Sequence, residues 1–240
     1  MPKNDRAADS SVGVSRRELA VARVLDPARA RAETRVQRFL DAAFELMNSS
    51  SGREFTVQEV VERSGQSLRS FYQYFEGKYE LLVALFEDSV RSSAEKLREA
   101  VDRESDPLER LRTFTVEYYV MCRPTPKGKA GDTKAADTKD RKPASTLAEF
   151  AQRLLTDHPA EAARAFVPLT ELLNELLDAA AAAGVIREGL SHQRITGVIL
   201  QAIMFNAFGT TISGLPATGD VTEAADELWQ LLLLGIQPAS

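Results

Sequence analysis

One cysteine, Cys122, stands in 240 residues, so no disulfide can close within a single chain. With His158 and His192 as the only histidines, no zinc site of familiar spacing can be assembled either. These scarcities predict a reduced, cytoplasmic setting and a protein without a bound metal or cofactor. Cys122 reads as a small buried residue on a helix face, with redox sensing as the alternative. Also missing are a glycine-rich phosphate loop, a nucleophile elbow, a metal-binding helix and a pair of catalytic carboxylates, so no enzyme chemistry is indicated. The Ser- and Arg-rich start lacks the apolar core of a secretory signal. From Ile195 to Ile212 the chain is nearly free of charge, but Gln201, Asn206, Thr196, Thr210 and Thr211 interrupt it and no cationic cluster flanks it. That stretch reads as a helix buried against other helices or a second subunit, with no membrane contact.

What is present suits a folded chain. Hydrophobic residues make up 44% and charged residues 27%, enough apolar side chain for one or two substantial cores. The net charge of -5 hides a split, because residues 1–38 hold nine Lys or Arg against five acids. A basic end joined to an acidic body fits a DNA-facing terminus.

The residues from Phe55 to Lys78 carry the strongest local signal. Thr56 followed by Glu59 is a capping box, and Val57, Val60 and Val61 then recur at helical spacing. Ser64-Gly65 breaks this short helix, since glycine adopts the left-handed conformation that ends helices. Ser67 is placed to cap a second helix. At about 100° per residue, Phe71, Phe75 and Leu68 fall within roughly 60° of one another, a face expected to pack on the first helix. The opposite face holds Arg69, Ser70, Tyr72 and Gln73, all hydrogen-bond donors and none acidic, as contact with phosphates or base edges requires.

From Ser64 to Leu82 the sequence closely resembles the signature of TetR-family transcriptional regulators: a Gly-x-Ser turn, an aromatic Tyr-x-Tyr-Phe segment, then two residues and a lysine before a Leu-Leu helix. About fifty residues, from Arg31 to Leu82, carry the match. The resemblance implies that Arg69, Ser70, Tyr72 and Gln73 face the major groove. Tyr74 and Lys78 become candidate phosphate contacts, and Thr56 sits where a helix start favours an anion. Gln66 replaces the family's usual small apolar residue and adds a candidate contact at the turn. Leu68 replaces a common polar base reader, so it is left with a thymine methyl at most.

The expected fold is all-α: an N-terminal three-helix helix-turn-helix DNA-binding domain followed by a helical ligand-binding and dimerisation domain. Residues 1–30 form a flexible basic arm, 31–80 the DNA-binding domain and 81–240 the body. Arg16, Arg17 and Arg23 either enter a minor groove or merely solvate the terminus. Helical spacing predicts helices near 31–48, from Lys78 to about Glu104, and from Asp106-Pro107 to Cys122. Residues 123–145, poor in large apolar side chains, read as a mobile loop. A further helix ends at Asp157-His158-Pro159, and the next carries Phe166, Leu169, Leu172, Leu173, Leu176, Leu177 and Ala180 to Gly184.

The last two helices, near 192–236, are expected to pair with a second copy as a four-helix bundle. The family likeness places a pocket for a small lipophilic effector among the middle helices, walled by Phe86, Phe114, Tyr118, Met121, Phe150, Phe166, Leu173, Leu177 and Met204, with Asn174 and Gln201 as polar anchors. It also implies repression of a palindromic operator by a homodimer. The competing reading is a helical small-molecule or partner-binding protein that kept the fold without sequence-specific DNA binding.

Overall fold

Helix signals recur along the chain, and helices are what it forms. The computed structural model describes residues 16–49, 55–123, 145–189, 191–213 and 220–236; the first half of the expected 1–30 arm, and nearly all of the expected loop at 123–145, lie outside them. Among the described residues ten helices follow in order: α1 (Arg16–Ser49), α2 (Val57–Ser64), α3 (Leu68–Phe71), α4 (Lys78–Val101), α5 (Pro107–Cys122), α6 (Ser145–Asp157), α7 (Pro159–Ala165), α8 (Val167–Ala182), α9 (His192–Ser213) and α10 (Val221–Ile236). Among the described residues there is no strand.

The helix starts follow the local capping chemistry. The Thr56 hydroxyl accepts the Glu59 amide at 3.3 Å, and the Glu59 carboxylate accepts the Thr56 amide at 2.7 Å, so both halves of the capping box form. Asp106 accepts the amides of Leu108 and Glu109 at 2.9 and 3.0 Å and Pro107 occupies the first position of α5, where its missing N–H costs nothing.

Two boundaries differ from the sequence reading. α1 begins at Arg16 rather than near Arg31 and runs through Pro27. Residues 25–38 bury no side chain fully, so this stretch lacks the apolar period by which helices are recognised. The single helix expected from Pro159 to Gly184 is two, divided at Phe166. Pro168 supplies the reason, since it cannot donate to the carbonyl four residues back and its ring crowds that carbonyl.

The small first unit packs α2 on α1 and α3 on α2, with α1 also resting on the start of α4. Phe39 of α1 sits edge-on to Phe71 at 5.4 Å and to Phe75 at 6.1 Å, an aromatic cluster that fixes the position of α3. In the body α5 is central, packing on α4, α8, α9 and α10. Its inward side chains Leu111, Phe114, Thr115 and Tyr118 are buried, and the Thr115 hydroxyl donates to the Leu111 carbonyl at 2.9 Å, so the buried polar group is satisfied. α4 belongs to both units, with its first turn beside the small domain and its remainder against α5 and α8.

Candidate nucleic-acid interface and effector cavity

The turn between α2 and α3 is built by two residues. Gly65 has φ +65°, in the left-handed region that disfavours a side chain, and its amide and that of Gln66 close α2 onto the carbonyls of Glu62 and Val61. The Ser67 hydroxyl then accepts the Ser70 amide at 3.0 Å and opens α3. α3 is a single turn, so Tyr72, Gln73 and Tyr74 lie on the tightening turn that follows it, held by amide bonds to Leu68, Ser70 and Phe71. This short unit presents Arg69, Tyr72 and Gln73 to solvent, with Tyr72 57% exposed although its ring edge rests on Phe71 at 5.4 Å.

Leu68 does not share the packing face assigned to it. Phe71 and Phe75 are buried, whereas Leu68 is 43% exposed, because a one-turn helix need bring only one of its apolar residues inward. Ser70 and Gln66 are half-buried, and the Ser70 Oγ and Gln66 Nε2 atoms are covered without a hydrogen-bond partner. Thr56 is exposed, but its amide and hydroxyl both already meet the Glu59 carboxylate. Lys78 opens α4, and its Nζ stands 4.8 Å from the centre of the Phe55 ring, a cation–π contact that braces the lysine beside the recognition turn.

A second feature lies in the body, where α4, α5, α6, α8 and α9 leave a cavity of about 40 Å³. Phe86, Tyr118, Met121, Phe166 and Met204 line it, as expected, together with Ser89, Ser93 and Cys122. The remaining expected wall residues lie elsewhere. Phe114, Leu173 and Leu177 are fully buried in the central core, and Phe150 packs on Tyr79 at 6.0 Å. Asn174 is engaged by the Thr196 hydroxyl at 2.6 Å, and Gln201 faces solvent. Burial pushes the Cys122 thiol up to about 12 and holds the neighbouring Tyr118 hydroxyl well above its ordinary range, so both stay neutral in this apolar setting.

A model of the bacterial regulatory proteins of the tetR family matches residues 39–85, the segment from the Phe39 aromatic cluster through the recognition turn to the first turns of α4. Residues 39–85 carry a tetR-family DNA-binding region. A curated relative, the fatty acid metabolism regulator protein of Bacillus subtilis, is 21% identical over 203 residues, covering 83% of this chain and 94% of its own. Among solved structures, the fatty acid degradation regulator FadR from Bacillus halodurans superposes with a TM-score of 0.62 at 20% identity, covering 82% of this chain and 94% of its own. FadR from Bacillus subtilis in complex with stearoyl-CoA superposes with a TM-score of 0.61 at 17% identity, covering 84% and 99%. The fold is therefore shared with these structures along most of the chain and not only over residues 39–85.

The cavity residues that sequence reasoning missed are small or unremarkable: Ser89, Val90, Ser93, Cys122, Leu147, Ala151 and Leu169. Ser89 and Ser93 follow Phe86 at three and seven residues, which places them on its face of α4, and that spacing was the available signal. Among the described residues no helix is long and apolar enough to cross a membrane.

Proposed function

We propose that this regulator is a cytoplasmic homodimer that reads a palindromic operator through Arg69, Ser70, Tyr72 and Gln73, is positioned on phosphates by Thr56, Gln66, Tyr74 and Lys78, and represses until a lipophilic effector opens the body. One observation carries the reading: a capped, glycine-broken turn offers Arg69, Tyr72 and Gln73 to solvent with no carboxylate among them. The second copy joins through α9 and α10, whose outward faces carry Val198, Phe205, Leu231 and Leu234, all more than half exposed.

The effector class follows from the cavity. Its wall is apolar apart from the Ser89, Ser93 and Tyr118 hydroxyls and the Cys122 thiol. A volume of about 40 Å³ is far below the roughly 300–1,000 Å³ of ligand pockets, so an effector must displace packed helices. A ligand that fits only the displaced arrangement shifts the equilibrium between DNA-competent and released forms through that difference in affinity. A long acyl chain suits such a wall, and the stearoyl-CoA named for the Bacillus subtilis structure makes an acyl-CoA thioester the first effector to test.

The test is selection from a random duplex pool, followed by release. Enrichment of an inverted repeat with half-sites about one helical turn apart is expected, with loss of binding on addition of stearoyl-CoA but not of free CoA. A folded dimer that enriches no sequence would move the protein to the class of helical ligand-binding proteins without an operator.

A further inference from the structure

α1 carries a charged edge that neither the recognition turn nor the aromatic core uses. Residues 25–38 bury no side chain fully; Ala32 and Val36 are half-buried, Val36 against the core, and the rest of this stretch is exposed. Taking Leu25 as the origin and about 100° per residue, Arg38, Arg31 and Arg35 fall at roughly 220°, 240° and 280°, a stripe about 60° wide at i, i+4 and i+7. All three are exposed. Arg31 donates from Nε to the Pro27 carbonyl at 2.9 Å, which leaves its charge unneutralised, and among the described residues none of the three is ion-paired. Arg29 lies on the other side, near 40°, where Glu33 neutralises it at 2.7 Å. The acids flanking the stripe further along the helix are occupied, Asp41 by Gln37 and Glu45 by Arg63.

The direction of this stripe is fixed by the packing further along α1. Phe39, near 320°, meets Phe71 of α3, and Glu45, near 200°, meets Arg63 at the end of α2 at 3.4 Å. The arginines fall between these two bearings. They therefore continue, toward the start of α1, the flank of the helix on which the helix-turn-helix is mounted. A row of guanidiniums beside a DNA-reading turn meets an anionic polymer with one charge per roughly 1.7 Å of duplex axis. The chain's overall negative charge does not cancel this, because exposed charges beyond about 8 Å are screened at physiological salt.

We propose that Arg31, Arg35 and Arg38 form a sequence-independent phosphate-binding edge that extends the protein's grip on duplex DNA beyond the bases read by α3. The proposal rests on the DNA-binding reading above but concerns the backbone alone, so the two can fail separately. The experiment measures binding of full-length protein to the selected operator and to a random-sequence duplex of about three helical turns across a salt series. Replacing the three arginines by glutamine is expected to reduce the slope of log affinity against log salt by about 0.9 for each phosphate released, up to about 5 for the six arginines of a dimer. Both duplexes should lose affinity alike, leaving their ratio unchanged. Lysine at the three positions should keep most of the slope.

A body variant with Arg153, Arg164 and Arg187 changed to glutamine removes the same charge from other exposed sites and is expected to bind like wild type. An unchanged slope in the α1 variant overturns the proposal, as does an equal loss in the body variant. A wild-type protein that prefers no sequence yet loses slope in the α1 variant would retain the edge and sink the operator reading. One that binds neither duplex sinks both.

Discussion

Phe71 and Leu68 sit three residues apart on the same single-turn helix and do opposite work. Phe71 is fully buried among Phe39, Tyr72 and Phe75, and a truncation there leaves a cavity beneath the recognition turn. Phe71→Ala is expected to cost about 3–5 kcal/mol and to melt the DNA-binding unit. Leu68→Ala should change stability by less than about 0.5 kcal/mol while altering the selected operator at one position. Thermal melting and repeat selection read the two effects, and a Leu68→Ala protein with an unchanged operator would remove that side chain from the interface. Cys122 gives a second residue-scale measurement. Buried, and with its thiol pushed up to about 12, it should label slowly with alkylating reagents at neutral pH in the folded protein and rapidly in urea. As the sole cysteine it reports on the cavity directly, and an effector that occupies the space beside it must change the native labelling rate.

At the scale of helices, what the sequence disclosed follows from how local each signal is. The starts of α2, α3 and α5 were readable because Thr56, Glu59, Ser67, Asp106 and Pro107 act within four residues. The early part of α1 was not, since residues 25–38 bury no side chain fully and so set no period, and Pro27 argues against continuation. The division at Phe166 is legible in Pro168, whose missing donor and ring separate α7 from the leucine-rich helix beyond it. Cavity-lining residues depend on how five helices settle side by side, which no spacing within one helix encodes.

One inter-helix clasp is testable by pH. The Arg98 guanidinium of α4 donates to Glu175 of α8 at 2.7 Å, and this hydrogen bond holds the Glu175 carboxyl below its ordinary range. A carboxyl depressed in the folded state stabilises above its unfolded pKa, near 4.3, and that contribution is lost as pH falls through the folded value. Both side chains are largely exposed, so the effect is held below about 1 kcal/mol. The stability gap between wild type and Arg98→Gln should be constant above about pH 5 and shrink toward pH 3 in urea titrations. A gap that does not shrink would remove the ion pair as its cause.

For the whole molecule, the decisive question is what covers α9 and α10. α9 is apolar nearly all round, yet its buried side is spent on α5 and α8. Phe205 is left 57% exposed, and on α10 Leu231 and Leu234 reach 71% and 75%. Both helices pack on α5 and leave apolar residues exposed, as an association site does, and in the dimer proposed above two helices from each copy would make a four-helix arrangement. Because these side chains touch little within the chain, Leu231→Glu with Leu234→Glu should leave helicity and monomer packing intact while placing four carboxylates in the dimer's interface. Sedimentation is expected to show a monomer at micromolar concentration. Operator affinity should then fall by two to four powers of ten, since the two half-sites are no longer joined, whereas binding to a single half-site should change little. A variant that still sediments as a dimer would place the interface elsewhere. A monomer that keeps full operator affinity would show that one reading head is enough.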